Sequence, residues 1–485
     1  MSVLSSEGER PGQARLNEGS IGLAQVLFQC ITHMGPAAAV ASSLLVGFSF
    51  AGAAMPLSIS LAMGVCLLIA VCVGQMGTHV RSAGGLYVYV AEGLGERAGA
   101  FVGWLYLAVE PLIAPLIFMV LGQIVGNVFA DDVGLAIPWW VWTLLAVAIT
   151  YALNVRDVRL STNAGIVLGT IEITIFGALA IYMIVDAGAS NTVSVFDPTS
   201  SPGGTWSGMF KGMVFSILAF QGFETAAPMA EEARDARRTI PRAVFLSTVA
   251  IGVFYVVCVY ASVLGWGIPN MGRYASDPDP WRTLATHFWG LGWILIFFAV
   301  VNSALANGNA GIAAATRGVF ALGRARMLPA RLGAVHPERR TPHVAIAVQS
   351  VFTAVAALVL GALAGVTNGF SLLATVVTIL VIVIFMLVCL GSMAYFWRRR
   401  RQEFNVFLHA VCPIVATLVL LLPLYYQFSP LPDYPVRWGN WIALAWLAVG
   451  IPLSALMLRR QRAGGVESLL DIGGDDRARA STGAP

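Results

Sequence analysis

An all-α integral membrane fold is predicted by three observations: an apolar composition, a series of apolar runs of spanning length, and a lopsided distribution of basic residues. Of 485 residues, 58% are hydrophobic and only 11% are charged. A soluble globular chain carries about 25% charged residues. The hydrocarbon core of a bilayer is about 30 Å thick, and about twelve runs are long enough to cross it as helices. They lie near 21–48, 56–80, 98–129, 137–155, 160–186, 207–230, 241–267, 283–321, 343–363, 371–396, 405–428 and 438–458. With the N-terminus placed in the cytoplasm, 25 of the 29 Lys and Arg fall on the inner side, leaving Lys211, Arg273, Arg282 and Arg437 outside. This asymmetry is the positive-inside pattern. An even span number puts both termini in the cytoplasm, so a multi-pass protein of the cytoplasmic membrane is expected.

Taken in order, residues 1–20 are polar and mixed in charge, with no short apolar core and small-residue cleavage site of a removable leader. The first span carries His33, Gly35 and Pro36 together near its middle. Proline removes a backbone donor and clashes with the preceding turn, so this helix is expected to break there. Residues 81–94 begin with a basic residue and a Gly84-Gly85 pair and read as a short interfacial helix leading into the third span. The sixth span is interrupted over 219–224, where Gly222 and Glu224 interrupt an apolar run. A central acid costs about 2.5–3.5 kcal/mol on the insertion scale, so it marks a place where something polar is handled inside the bilayer. At about 1.5 Å per residue, both breaks lie about 18–25 Å from the start of their spans, near the midplane. After the sixth span, Glu231, Glu232, Arg234, Arg237 and Arg238 read either as a latch on the inner gate or as a solvated charge run. The basic stretch 323–346 reads as a cytoplasmic loop touching anionic lipid. All six cysteines fall in apolar spans and read as small packing residues. The tail after residue 462 is Gly-rich and charged, hence disordered.

The first and sixth spans are five crossings apart, so they run antiparallel. A five-plus-five inverted repeat sets two such broken helices side by side. Four segments strengthen this reading: ITHMGPAAAVASSL (31–44), SAGGLYVYVAEGLGERAGAFVGWLYL (82–107), AFQGFETAAPMAEEARDARRTIPRAV (219–244) and RGVFALGRARMLPARLGAVHPERRTPHVAI (317–346). Together they resemble the amino acid–polyamine–organocation (APC) superfamily, specifically its bacterial amino acid permeases. The resemblance implies a LeuT-type fold: a ten-helix core over 21–396, two peripheral helices over 397–460, and tails at 1–20 and 461–485. It also implies alternating access with uptake of amino acids or related amines. Many relatives carry a GSGIF-like motif at the first break, where this chain reads THMGPAAA.

Unwound helices expose both kinds of backbone group that a zwitterion needs. Thr32, His33, Gly35, Pro36 and Ala37 are therefore candidate substrate-binding residues, with amides of 37–39 facing a carboxylate. Ala219, Phe220, Gly222 and Phe223 are their counterparts, offering carbonyls to an ammonium. Phe220 and Phe223 read as an aromatic lid or as packing. His33 reads as a substrate contact, a pH-sensitive switch or a hydrogen-bonded kink residue. Glu110, Glu172 and Glu224 are the gating or coupling candidates. Glu224 either supports the unwound first span or gates access. Glu110, followed by Pro111, lines the pocket, pairs with a cation or hydrogen-bonds a neighbour. For Glu172 the resemblance supplies the argument: proton-coupled relatives carry a lysine at about this place, in the role of a bound sodium, which makes Glu172 the leading proton site. Asn302, Ser303, Asn307 and Asn309 form a polar cluster that satisfies backbone groups, lines the cavity or approaches a cation.

A membrane enzyme would need a metal-ligand cluster or a nucleophile–base pair. No HExxH, GxSxG or intramembrane Asp pair occurs. The expected function is therefore a secondary transporter without a cofactor, proton-coupled, with sodium as the other candidate ion. Neutral amino acids lead as substrate; a polyamine or other organic amine, or an exchange mode, is the alternative. The expected partners are that small molecule and the bilayer, with no nucleic acid, in a monomer or weak homodimer.

Overall fold

The computed structural model describes residues 21–463, apart from 81, 83, 157–161, 231, 325–327, 337–338 and 340. Both predicted tails, Arg81, Arg159, Glu231, Arg326, Arg340 and Pro337 thus lie outside the described residues, apart from 461–463. Among the described residues the secondary structure is helical, with a single isolated bridge between Ile21 and Ala233. Ten helical stretches are long and apolar enough to cross a membrane. They correspond to ten of the predicted spans.

The two remaining predicted spans are shorter than expected. The run near 137–155 is α7 (Trp139–Val155), 17 residues long. The run near 207–230 is α9 (Trp206–Phe220), only 15 residues, followed by a 3-10 stretch over Phe223–Met229. The run near 283–321 divides at Gly290 (φ 56°) into α12 (Pro280–Trp289) and α13 (Trp293–Arg324). The first span divides twice, at Gly35 and at Ser42, into α1 (Leu23–Met34), α2 (Pro36–Ala41) and α3 (Ser43–Ala51). The expected short helix before the third span is α5 (Leu86–Leu94).

The centre of the bundle is built on α6 (Glu96–Val128) and α15 (Val366–Arg399), the most deeply buried of the long helices. Around them, α4 (Met55–Gly77) packs on α10 (Ala236–Trp266), α6 on α13, and α3 on α9. Helices α8 (Thr162–Ala187), α14 (His343–Ala364), α16 (Cys412–Phe428) and α17 (Arg437–Ala463) present apolar residues outward; Val185 is 72% and Leu363 82% exposed. In water such a surface would be a liability, but it suits hydrocarbon. Close crossings use small residues, as expected where packing rather than water expulsion joins helices. Gly93 on α5 meets the backbone of Gly391 on α15, and a Cβ on Gly212 of α9 would lie 2.7 Å from that of Ala51. All six cysteines are buried and free.

One end of the bundle carries polar clasps. His79 Nε2 lies 2.7 Å from Glu403 Oε2, and Arg399 pairs with Glu92. The hydrogen bond to His79 holds the Glu403 carboxyl below the usual carboxylate range. At the other end of α6, Arg282 contacts Asp131 (3.2 Å) and Asp132 (2.5 Å) and covers the Trp293 ring at 4.9 Å.

Gly93→Ala places its methyl in the α15 backbone and is expected to lower stability by about 1–3 kcal/mol. Gly177→Ala meets nothing within 4 Å and should leave it unchanged or raised. Thermal unfolding of the detergent-solubilised variants checks the difference.

Candidate functional site

The site is where the two helix breaks touch. Gly35 takes the left-handed conformation (φ 54°, ψ 69°) and closes α1, its N–H donating to the carbonyls of Ile31 and Thr32. Pro36 then opens α2, at a position where a missing N–H and a fixed φ carry no penalty. At the second break Gly222 has φ 127°, which side chains with a Cβ rarely adopt. A Cβ there would also lie 2.8 Å from Met34 N and 2.9 Å from the His33 carbonyl carbon. A Cβ on Gly35 would lie 2.6 Å from Asn307 Nδ2. Both glycines are thus needed for conformation and for close approach.

Every broken helix leaves carbonyls without an intrahelical donor. Here protein side chains supply them. Asn307 Nδ2 donates to the His33 carbonyl at 2.6 Å. The Tyr255 hydroxyl, from α10, lies 3.0 Å from the Met34 carbonyl and 3.0 Å from the Ala219 carbonyl, so one hydroxyl bridges both breaks. Thr225 Oγ1 donates to Gly222 O at 2.6 Å, and Cys30 Sγ to Phe223 O at 3.2 Å. Three carbonyls expected to face an ammonium, those of Ala219, Gly222 and Phe223, therefore already hold protein donors, each keeping a second lone pair. On the other side, the Ala39 amide donates to Gly35 O at 2.8 Å and the Ala37 amide to the Glu172 carboxylate, so two of the three amides of 37–39 are already engaged.

A small cavity of about 30 Å³ lies between the breaks, bordered by His33, Ala39, Ser42, Ser43, Gln221 and Asn307. A larger cleft of about 460 Å³, near Gln123, Trp139 and Gly361, has no ionisable lining and lies away from the breaks. Phe220 and Phe223 do not border the small cavity. Phe220 packs edge-on against Tyr255 (5.6 Å, 76°) and Phe223 against Phe385 (5.4 Å), both fully buried.

The three intramembrane acids have different surroundings. Glu172 accepts hydrogen bonds from Asn302 Nδ2 (2.8 Å) and Ser303 Oγ (3.0 Å), with the Ala37 N–H facing the same carboxylate. Glu224 accepts from the Gly222 N–H at 2.9 Å, holding the second break from within. Glu110 Oε2 lies 3.6 Å from His33 Nε2, beyond hydrogen-bond length, and both atoms are buried without a hydrogen-bond partner. Both polar atoms of the Gln221 side chain are likewise buried and unpartnered. The span-eight cluster divides: Asn302 and Ser303 serve Glu172, Asn307 serves the first break, and Asn309 accepts from Asn154 at 2.7 Å. Beyond the second break, the chain pairs backbone to backbone with the start of α1, Ile21 N to Glu232 O (3.2 Å) and Arg234 N to Ile21 O (2.8 Å). Arg238 instead makes an exposed local contact with Asp235 at 3.6 Å.

Sequence reasoning missed Tyr255 and Gln221. Gln221 had a signal, a lone amide between Phe220 and Gly222 in an apolar break. Tyr255 had none, since its partners lie 221 and 36 residues away.

The family profile described as amino acid permease matches residues 16–451. The chain is 27% identical over 365 residues to a low-affinity putrescine importer of Escherichia coli K12, covering 72% of this chain and 75% of that one. It is 26% identical over 377 residues to a branched-chain amino acid permease of Lactococcus lactis, covering 74% and 77%. It is 26% identical over 320 residues to an uncharacterized transporter of Mycobacterium tuberculosis, covering 63% and 67%. The chain belongs to the amino acid permease family of the APC superfamily.

Tyr255→Phe leaves the Met34 and Ala219 carbonyls without their common donor, at an expected loss of about 1–3 kcal/mol. Tyr425→Phe removes a hydroxyl from an exposed ring on α16 and should change stability by less than about 0.5 kcal/mol. Equal melting temperatures for the two variants would refute the bridging role.

Proposed function

Starting from membership of the amino acid permease family, we propose that this protein is a secondary active transporter of amino acids or amines in the cytoplasmic membrane, working by alternating access. The observation that carries the reading is the contact of two backbone breaks beside a small cavity bordered by His33, Ser42, Gln221 and Asn307. Ten spanning stretches together with α7 and α9 make twelve crossings. The two breaks then belong to the first and sixth crossings of a five-plus-five inverted repeat over residues 21–396. Helices α16 and α17, within 397–460, lie at its margin, and the basic residues support a cytoplasmic location for both termini. The relatives include both a putrescine importer and a branched-chain amino acid permease, which supports either substrate class. The role is transport rather than catalysis and needs no cofactor.

Two sets of contacts support alternating access. The backbone pairing of Ile21 with residues 232–234 fastens the start of α1 to the segment after the second break. At the opposite end, Arg282 fastens the start of α12 to the end of α6 through Asp131 and Asp132. With both ends fastened and only about 30 Å³ between the breaks, this conformation fits a step of the cycle in which neither side is wide open. Opening either end means releasing one clasp while the other holds.

Proton coupling is assigned to Glu172. Its carboxylate bridges α8 and α13 beside the first break, so adding a proton there weakens the hydrogen bonds from Asn302 and Ser303 and loosens α8 from α13. In proteoliposomes the purified protein is expected to accumulate substrate when the lumen is made alkaline, and Glu172→Gln to abolish the response to the pH gradient while substrate still binds. A full response in the variant would make Glu172 structural. A protein that binds substrate yet moves none would end the transporter reading.

A further inference from the structure

The end of the bundle that the basic residues assign to the cytoplasm carries a histidine cluster away from the breaks, and its hydrogen bonds fix where the protons are. His79 follows α4, in the turn that leads to α5. Its Nε2 meets Glu403 Oε2 at 2.7 Å, and its Nδ1 lies 2.5 Å from Thr78 Oγ1 and 3.3 Å from the Gln75 carbonyl. Thr78 has one hydroxyl proton, and the Gln75 carbonyl takes it at 2.6 Å. That carbonyl needs it, because the His79 backbone N–H turns to Met76 O (3.0 Å) instead. Nδ1 must then carry a hydrogen of its own, since both neighbours facing it accept. With Nε2–H directed at the carboxylate, both ring nitrogens are protonated, and the contacts are those of an imidazolium.

His409 is held in the opposite state. The Asn405 N–H donates to its Nδ1 at 2.9 Å, so that nitrogen carries no hydrogen, and Nε2–H faces Gln75 Oε1 at 3.2 Å. A proton on Nδ1 would turn the Asn405 contact repulsive. The two rings share Phe396, His409 lying flat on it at 3.7 Å and His79 edge-on at 5.3 Å, with Tyr395 at 6.3 Å from His79. Among the described residues, the other charged groups at this end are Arg400, 3.3 Å from Glu403, and the Arg399–Glu92 pair. The hydrogen bond from His79 holds the Glu403 carboxyl below the usual carboxylate range, so Glu403 stays ionised where imidazoles titrate. The clasp is therefore complete with His79 charged and His409 neutral, and raising the pH takes away the proton that completes it.

The clasp is placed to act on the inner side of the breaks. Glu403 and His409 sit on the link between α15 and α16, so they tie the end of α4 to that link. Helix α4 packs on α10, whose Tyr255 bridges the breaks. The turn after His79 reaches Gly85, where a Cβ would lie 3.0 Å from Pro228, in the stretch just beyond the second break. We propose that His79, Glu403 and His409 form a pH-reading brake: with His79 charged they pin the turn between α4 and α5 and slow the opening of the cytoplasmic side, and loss of that proton releases it. This rests on the transporter reading and adds to it a control separate from Glu172. Protons that enter with substrate complete the clasp and slow further entry.

The test is exchange in proteoliposomes of the full-length protein, with equal pH on both sides so that no gradient drives it. Radiolabelled leucine and 1,4-diaminobutane are the probes, at about pH 6 and about pH 8, on either side of ordinary imidazole titration. His79→Gln keeps a neutral donor for Glu403 and lacks the charge. It is expected to exchange about two- to fivefold faster than wild type at the lower pH, the reach of one partly exposed charged hydrogen bond, and equally fast at the higher. The ratio cancels any pH dependence that both proteins owe to Glu172. Glu403→Gln, which removes the partner charge, is expected to speed exchange at the lower pH as well. Melting temperatures give an independent reading: wild type lies above His79→Gln at the lower pH, and the gap closes at the higher, because a contact that needs a proton is lost as the pH rises. An exchange ratio that is the same at both pH values overturns the inference and leaves the transporter reading standing. A melting gap that pH does not change also overturns it and makes the clasp structural. Exchange of neither probe by wild type ends the transporter reading, and the brake with it.

Discussion

A bilayer offers no hydrogen bonds, so a helix that breaks inside it must find protein donors for every carbonyl it frees. The rest of this structure is organised around that demand at two places, Gly35 and Gly222. Their carbonyls are answered by Asn307, Tyr255, Thr225 and Cys30, drawn from α13, α10, the second break itself and α1. These donors fix where the four elements lie relative to one another. Tyr255 has the strictest position, because one hydroxyl must stay within 3.0 Å of carbonyls from both breaks. Close approach then follows: the breaks can share a donor only if they touch, and they touch because Gly222 carries no Cβ against His33 and Met34, while the bare Gly35 admits Asn307 of α13.

The same demand separates the three acids by role. Glu224 accepts from the Gly222 N–H and so belongs to the backbone of the break. Glu172 is held by α13 side chains and ties α8 to the first break. Of the three, only Glu110 has a buried oxygen without a hydrogen-bond partner among the described residues. Three carboxylates that look alike by composition and depth are thus distinguished by their donors.

What was legible in the sequence follows from how local each signal is. Gly35-Pro36 and Gly222 announce their breaks because glycine and proline act on the backbone at their own position. Apolar run lengths and the Arg-rich stretches are equally local. The expectation of free carbonyls at 219–223 was incomplete because the donors come from distant parts of the chain, Cys30 lying 193 residues from Phe223. Phe220 and Phe223 suggested a lid by their place in the break, yet their rings turn toward Tyr255 and Phe385, partners that only the packed bundle supplies. The division at Gly290 escaped notice because apolar residues flank it on both sides and hide the break in hydropathy.

Tyr255 also explains how such a junction can be stable and still move. Its hydroxyl has one proton for two carbonyls, so at any moment one of them holds at best a partial bond. A bond to a buried group is worth about 0.5–1.5 kcal/mol net, and leaving one unmade costs about 1–3 kcal/mol. The junction is therefore held by a margin of the same size as a single hydrogen bond. Moving α1 away from α9 would let the hydroxyl follow one carbonyl and abandon the other, a step small enough for substrate binding or a proton on a nearby carboxylate to offset. Full satisfaction by two separate donors would bind the breaks more tightly and would make their separation correspondingly harder. Under the proposed alternating-access cycle, the weaker arrangement is the one that would let the contact between the two breaks be made and unmade.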